Sequence, residues 1–273
     1  MLKRLIYLPG MLFILFALSS CEKVIEIDLN NSKEALVIEA TMSNNKLPFK
    51  VLVSKTTPYF GTKKSNPVSG AKVSARSEHG KVKYFAEISP GVYELPKVVA
   101  LPGYWYIIDV EYNGVTYSAR SFMNQTVPIA EVGLVYFNGY GVFDSGYKLN
   151  TYIVDPENTE NYYRIKYFIN GKANTDPGGT TVYSDQLFNG KDIGLTQRST
   201  VFKETDTVTI ELQSIDKAAY DYFSTLENIS GNDFQQSAAP ANPINNFNNG
   251  ALGYFSAYTS DTKQVIIKDL IEQ

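Results

Sequence analysis

The chain holds one cysteine, one histidine and one tryptophan, and each scarcity removes a class of chemistry. A lone Cys21 can form neither an intrachain disulfide nor a zinc–thiolate site. A lone His79 means that any serine–histidine triad or histidine-ligated metal must use that residue, which stands beside Gly80 in an apparent hairpin turn, without the enclosing shell that tunes such groups. Positive charge is not in excess: 25 Lys+Arg face 28 Asp+Glu, a net of −3. No patch neutralises phosphates, so no nucleic-acid partner is expected. After residue 18 no stretch is long and apolar enough to cross a bilayer as a helix.

What is present begins at the front. Lys3 and Arg4 precede an apolar run of 14 residues, Leu5 to Leu18, and then Ser19, Ser20 and Cys21. The run falls short of the roughly 20 residues of a spanning helix, and Pro9 and Gly10 weaken it further. The pattern Leu18-Ser19-Ser20-Cys21 fits a lipoprotein processing box, so residues 1–20 are expected to be a signal peptide and Cys21 the lipid-attachment site. Several acyl chains would then anchor the protein to a membrane. Without residues 1–20 the chain has 253 residues, with 23 Lys+Arg against 28 Asp+Glu, a net of −5.

Twenty Tyr and 15 Phe suit pleated surfaces, where a flat ring packs and a hydroxyl reaches water. Strands are expected at Ile25–Leu29, Ala35–Ala40, Phe49–Ser54, Lys72–Ser77, Lys81–Ile88, Tyr104–Tyr112 and Val115–Ser121. Asn113-Gly114 supplies a two-residue hairpin turn. These segments predict an N-terminal immunoglobulin-like or transthyretin-like β-sandwich over residues 21–127, bounded by Thr126-Val127-Pro128. A second β-rich domain over 128–273 is expected to carry strands at Glu131–Phe137, Tyr147–Val154, Tyr162–Ile169, Asp206–Gln213 and Gln264–Lys268. Ile215, Ala218, Ala219, Tyr222, Phe223, Leu226 and Ile229 recur at helical spacing, predicting one amphipathic helix near 214–229, with Ser214 as its cap and Gly231 at its end. The fold class is therefore mainly β.

No catalytic, cofactor or metal constellation stands out. Asp155, Glu157, Asn158 and Glu160 offer oxygen ligands, but their spacing matches no EF-hand loop and a solvated turn accounts for them. Gly139 and Gly141 are half of a nucleotide-loop pattern without a following helix. The Pro- and Asn-rich stretch from Ala238 is the candidate partner-contact loop, carried by Asn242, Pro243, Phe247, Asn249, Gly250, Tyr254 and Phe255. The alternative is that its Pro and Gly residues only shape a connection back into the sheet.

In order along the chain, Cys21-Glu22-Lys23-Val24-Ile25-Glu26-Ile27-Asp28-Leu29, Leu36-Val37-Ile38-Glu39-Ala40, Pro67-Val68-Ser69-Gly70-Ala71, Pro90-Gly91-Val92-Tyr93, Asn161-Tyr162-Tyr163-Arg164, Asp185-Gln186-Leu187-Phe188-Asn189-Gly190, Ser214-Ile215-Asp216, Tyr220-Asp221-Tyr222, Pro240-Ala241-Asn242-Pro243 and Asn248-Asn249-Gly250-Ala251-Leu252-Gly253-Tyr254-Phe255 form a series. With these blocks the chain resembles the Bacteroidota lipoproteins grouped as domain of unknown function 4249, departing at Ala40, where glycine is frequent. The resemblance implies a lipid-anchored outer-membrane protein, often encoded beside a TonB-dependent transporter, and no established reaction. The expected function is a non-enzymatic binding or docking protein, accessory to such a transporter in nutrient uptake. The alternatives are a carbohydrate-acting extracellular enzyme using paired carboxylates and a structural adhesin.

Overall fold

The structure, a computed structural model, describes residues 34–57, 66–141, 144–175, 180–196, 200–230 and 242–272. Cys21, the strand expected at Ile25–Leu29 and Gly231 lie outside these residues. The first half supplies β1 (Leu36–Ser43), β2 (Phe49–Lys55), β3 (Asn66–Pro67), β4 (Lys72–Ser77), β5 (Lys83–Tyr84), β6 (Ala86–Ser89), β7 (Val92–Leu95), β8 (Trp105–Tyr112) and β9 (Val115–Phe122). The second supplies β10 (Glu131–Phe137), β11 (Gly146–Val154), β12 (Tyr162–Ile169), β13 (Lys172–Ala173), β14 (Thr180–Ser184), β15 (Asp192–Thr196) and β16 (Thr207–Ile215). Helix α1 (Lys217–Ser230), β17 (Leu252–Ile266) and the short α2 (Ile267–Ile271) follow. The fold is mainly β.

One long sheet runs β13-β12-β16-β17-β1-β2-β7-β6, with β14 also on β12 and β3 on β2. Strand β17 joins its halves: it runs parallel to β1 from Leu252 to Tyr258 and antiparallel to β16 from Thr259 onward. Residues opposite one another in register share a face. Ile38, Ala40 and Met42 therefore lie on the same face as Gly253, Phe255 and Ala257, and further across as Leu212, Ile210, Ile165 and Tyr167.

Both small sheets cover that face. Sheet β5-β4-β8-β9 packs Val73, Ala75, Ile108 and Val110 over the β1–β2–β7 end, and sheet β10-β11-β15 packs Val132, Leu149, Ile153 and Leu195 over β12 and β16. A fully buried side chain such as Phe255 contributes about 1.5–3 kcal/mol to this assembly. The stretch 123–130 carries the chain from one small sheet to the other, and the 127/128 division lies within it. Strand β17 serves both cores, with Phe255 and Ala257 in the first and Val265 against the second. Helix α1 occupies the opposite face of the long sheet, laying Ala219 and Phe223 on Tyr162, Val182, Ile215 and Tyr258.

Several local expectations need correction. The segment 81–88 is two short strands in different sheets: β5 pairs with β4, while β6 pairs with β7. The final strand is not Gln264–Lys268 but the much longer β17, and Ile267 already opens α2. Its first part lacks the apolar–polar alternation of a one-sided strand because both of its faces are covered. Strands β14 and β15 were not foreseen. Helix α1 is capped by Asp216, whose Oδ1 accepts the Ala219 N–H at 2.9 Å. Ser214 instead lies within β16, just before its last residue Ile215, its Oγ accepting the Val127 N–H. Asn113-Gly114 and Asn170-Gly171 both take positive φ, as two-residue hairpin turns require.

Candidate functional site

The segment from Asn242 to Phe255 serves mainly as structure. Asn246 stands in for a strand neighbour: its Nδ2 donates to the Phe255 carbonyl at 2.8 Å and its Oδ1 accepts the Phe255 N–H at 2.9 Å. Asn248 Oδ1 accepts the Ser118 N–H, and Asn249 Nδ2 donates to the Thr116 carbonyl. The loop thus ties β9 to β17. Phe247 and Phe255 are buried in the first core, and Tyr254 is half-buried against Tyr222 and Phe223. Asn242, Asn249 and Gly250 are exposed and Pro243 is half-buried. At Gly253, with φ +101°, a Cβ would collide with the Ile38 carbonyl, so the close parallel pairing requires glycine there.

The acidic cluster around Pro156 is pulled apart by folding. Asp155 is buried, with Oδ1 accepting the Tyr163 O–H at 2.5 Å and Oδ2 accepting the Gly190 N–H at 2.9 Å. Burial raises the pKa of the neighbouring Asp185, while the Asn161 N–H, which it accepts, opposes the rise. These carboxylates hold loops, and Glu157 and Glu160 face solvent. Among the described residues no three His, Cys, Asp or Glu converge as a metal site would. Gly139 and Gly141 take positive φ beside β10.

A cleft of about 420 Å³ opens at one end of the first sandwich, between β1 and β7 on one side and β4 and β8 on the other. That volume lies within the range of small-molecule sites. Its floor is apolar: Met42, Ala75, Leu95 and Tyr106 are buried core residues, and Val98 is half-buried beside them. Around its mouth stand Lys81 and Lys83 together with His79, Arg76 lying on β4 with its side chain on the outer face of that sheet, while Val99, Leu101 and Tyr104 leave large apolar surface exposed. No described Asp or Glu lines it. The lip is fixed by Tyr106, whose Oη accepts the Leu101 N–H at 2.7 Å and donates to the Leu101 carbonyl at 3.0 Å. His79 is largely exposed, with Nε2 3.9 Å from Glu78 Oε1, and it borders this cleft.

A second concentration of charge lies beneath α1. Arg164 and Lys166 on β12 sit opposite Gln213 and Glu211 on β16, all on the helix-covered face. The Arg164 guanidinium lies 3.6 Å from the centroid of Phe223, a cation–π contact. Glu211 is buried, and its Oε1 meets Lys46 Nζ at 2.5 Å and accepts from Gln213 Nε2 at 3.0 Å. Burial opposes the Glu211 charge, yet hydrogen bonds from Lys46 and Gln213 outweigh it and hold the carboxyl below its usual range. Burial pushes the Tyr222 hydroxyl up to about 12 and lowers the pKa of both Arg164 and Lys166.

Sequence reading missed both places. The alternation Tyr163-Arg164-Ile165-Lys166-Tyr167 was the available signal for the second, since two cations on one strand face demand a covering counter-charge. For the first, Lys81 and Lys83 flank the turn after β4, but their meeting with Leu95 and Val98 is a product of the tertiary fold.

No curated protein matches the chain significantly. A two fibronectin type-III domain segment of chicken tenascin is similar at 11% identity, over 67% of this chain and 91% of that one, with a TM-score of 0.21. CBD12 from CALX1.2 is similar at 8% identity, over 84% of this chain and 100% of that one, with a TM-score of 0.18. The profile described as Domain of unknown function (DUF4249) matches residues 22–264, and the chain belongs to that family.

Proposed function

We propose that the protein is a lipid-anchored binding or docking protein of the outer membrane, accessory to a TonB-dependent transporter in nutrient uptake. The observation that carries the binding part is the cleft at the end of the first sandwich: it has a fixed lip, an apolar floor and a polar mouth, the form of a small-ligand site. The carboxylates Asp155 and Asp185, near one another and buried, hold loop backbone and Tyr163, so they offer no free pair for glycoside hydrolysis. The anchor part rests on Lys3, Arg4, the apolar run to Leu18 and Cys21.

Two experiments test this reading. Metabolic labelling with a fatty acid should mark the wild-type chain and not Cys21→Ser; equal labelling would remove the anchor. Pull-down of a tagged full-length copy from solubilised envelopes should recover an outer-membrane transporter, and repeated recovery of the lipoprotein alone would sink the docking part.

A further inference from the structure

We infer that the cleft of the first sandwich takes a small anionic amphiphile, its apolar body on Met42, Leu95 and Val98 and its anionic group at Lys81 and Lys83. The inference rests on the binding reading above and names its ligand class. Charge complementarity carries it. The whole chain has more acidic than basic residues, yet Lys81 and Lys83 border this opening and no described carboxylate is among its lining residues, Glu78 standing beside His79 at the rim. A cleft of one sign, walled by low-dielectric side chains, concentrates ligands of the opposite sign. The floor supplies the second half of the recognition, because it continues into the sandwich core and offers few polar partners. A purely hydrophilic anion would lose water there without replacing it, and a neutral apolar molecule would leave the cations unused. A ligand carrying both parts matches both. The lip is held by the paired Leu101–Tyr106 hydrogen bonds, so the site is formed before the ligand arrives and little ordering opposes binding.

The test uses the full lipoprotein in nanodiscs of zwitterionic lipid, titrated calorimetrically with 4-phenylbutyrate, its amide and 4-phenylbutylamine, against empty nanodiscs. These three probes share an apolar body and differ in charge. The acid should bind with Kd of about 1 mM or tighter, the amide at least about tenfold more weakly, and the amine not measurably. The double variant Lys81→Gln, Lys83→Gln, altered only at exposed positions, should weaken the acid about tenfold while leaving the amide unchanged. Val98→Trp, which fills the floor, should weaken acid and amide together. Equal binding of acid and amide, or an acid titration unmoved by the double variant, would overturn the ligand class. So would absence of binding by all three probes. None of these results touches recovery of a transporter by pull-down, so failure here and failure of the docking reading are distinguishable.

Discussion

Two groups of charged side chains in this protein are arranged in opposite ways. Lys81 and Lys83 border an opening, share one sign and stand near water. Arg164, Lys166 and Glu211 share the helix-covered face of the long sheet, with Lys46 reaching Glu211 from the β1–β2 connection, so that signs mix and partners are close by. Charges near water remain solvated whether or not a partner is present, so a cluster of one sign persists at little cost and stays free to meet a ligand. Buried charges do not have that freedom. They are tolerated only with partners, and those partners fix how the covering helix sits. The first group therefore reads as recognition and the second as architecture.

The largest expected effect comes from breaking the buried group. Glu211→Ala removes the carboxylate that faces Arg164, Lys166 and the half-exposed Lys46, leaving Arg164 and Lys166 without a counter-charge on the covered face, and should destabilise the fold by about 3–5 kcal/mol in urea unfolding. Its pH dependence gives a second check. The folded pKa of Glu211 lies below the 4.5 of the free group, so its contribution is complete above about pH 4.5 and is lost as the pH falls through the folded value. The stability gap between wild type and Glu211→Gln should accordingly narrow in acid. A gap that widens there would mean that Glu211 is not held ionised by Lys46 and Gln213.

Next in size is the joint between the two halves of the long sheet. Gly253→Ala puts a side chain at φ +101° and against the Ile38 carbonyl, and should cost about 3 kcal/mol with loss of the parallel β1–β17 pairing. Hydrogen exchange at Ala40 would show it. Unchanged protection would mean that β17 can shift without breaking β1.

The relation between sequence and structure turns on the same joint. Strands with one wet face were legible: β4 and β10 match the expected limits and β8 alternates as predicted, while β12 matches its limits although α1 covers its second face. The turns at Asn113-Gly114 and Asn170-Gly171 were legible because their backbone needs only those residues. Strand β17 was not, since Ser256, Thr259 and Ser260 are buried despite being polar and no alternation marks them. The candidate contact loop has a structural role that was not legible for a related reason. Asn246, Asn248 and Asn249 look like surface residues, but their amides hydrogen-bond to backbone that would otherwise lack partners. The cleft joins residues from Met42 to Tyr106, a distance along the chain that no local pattern spans.

A smaller effect tests how α1 is seated on its charged floor. Asp216 accepts the Ala219 N–H through Oδ1 and the Phe122 N–H through Oδ2, linking the helix start to β9. Asp216→Ala should cost about 1–2 kcal/mol, near the upper range for a cap. Asp216→Asn keeps an acceptor oxygen for one of the two N–H groups and should recover part of the loss. Equal losses for the two variants would mean that the capping bond contributes nothing and that the carboxylate charge matters instead.

The smallest effect on stability sharpens the comparison most. Lys81 and Lys83 are exposed, make no ion pair among the described residues, and adjoin β5, a strand of two residues. If they serve recognition alone, Lys81→Gln with Lys83→Gln should leave unfolding within about 0.5 kcal/mol of wild type. Removing like charges from one mouth also relieves mutual repulsion, so any change should be toward greater stability at low salt and should fade as salt screens the cluster. A clear loss of stability would instead place these lysines with Lys46 and Glu211 as structural charges, and the distinction between the two groups would collapse.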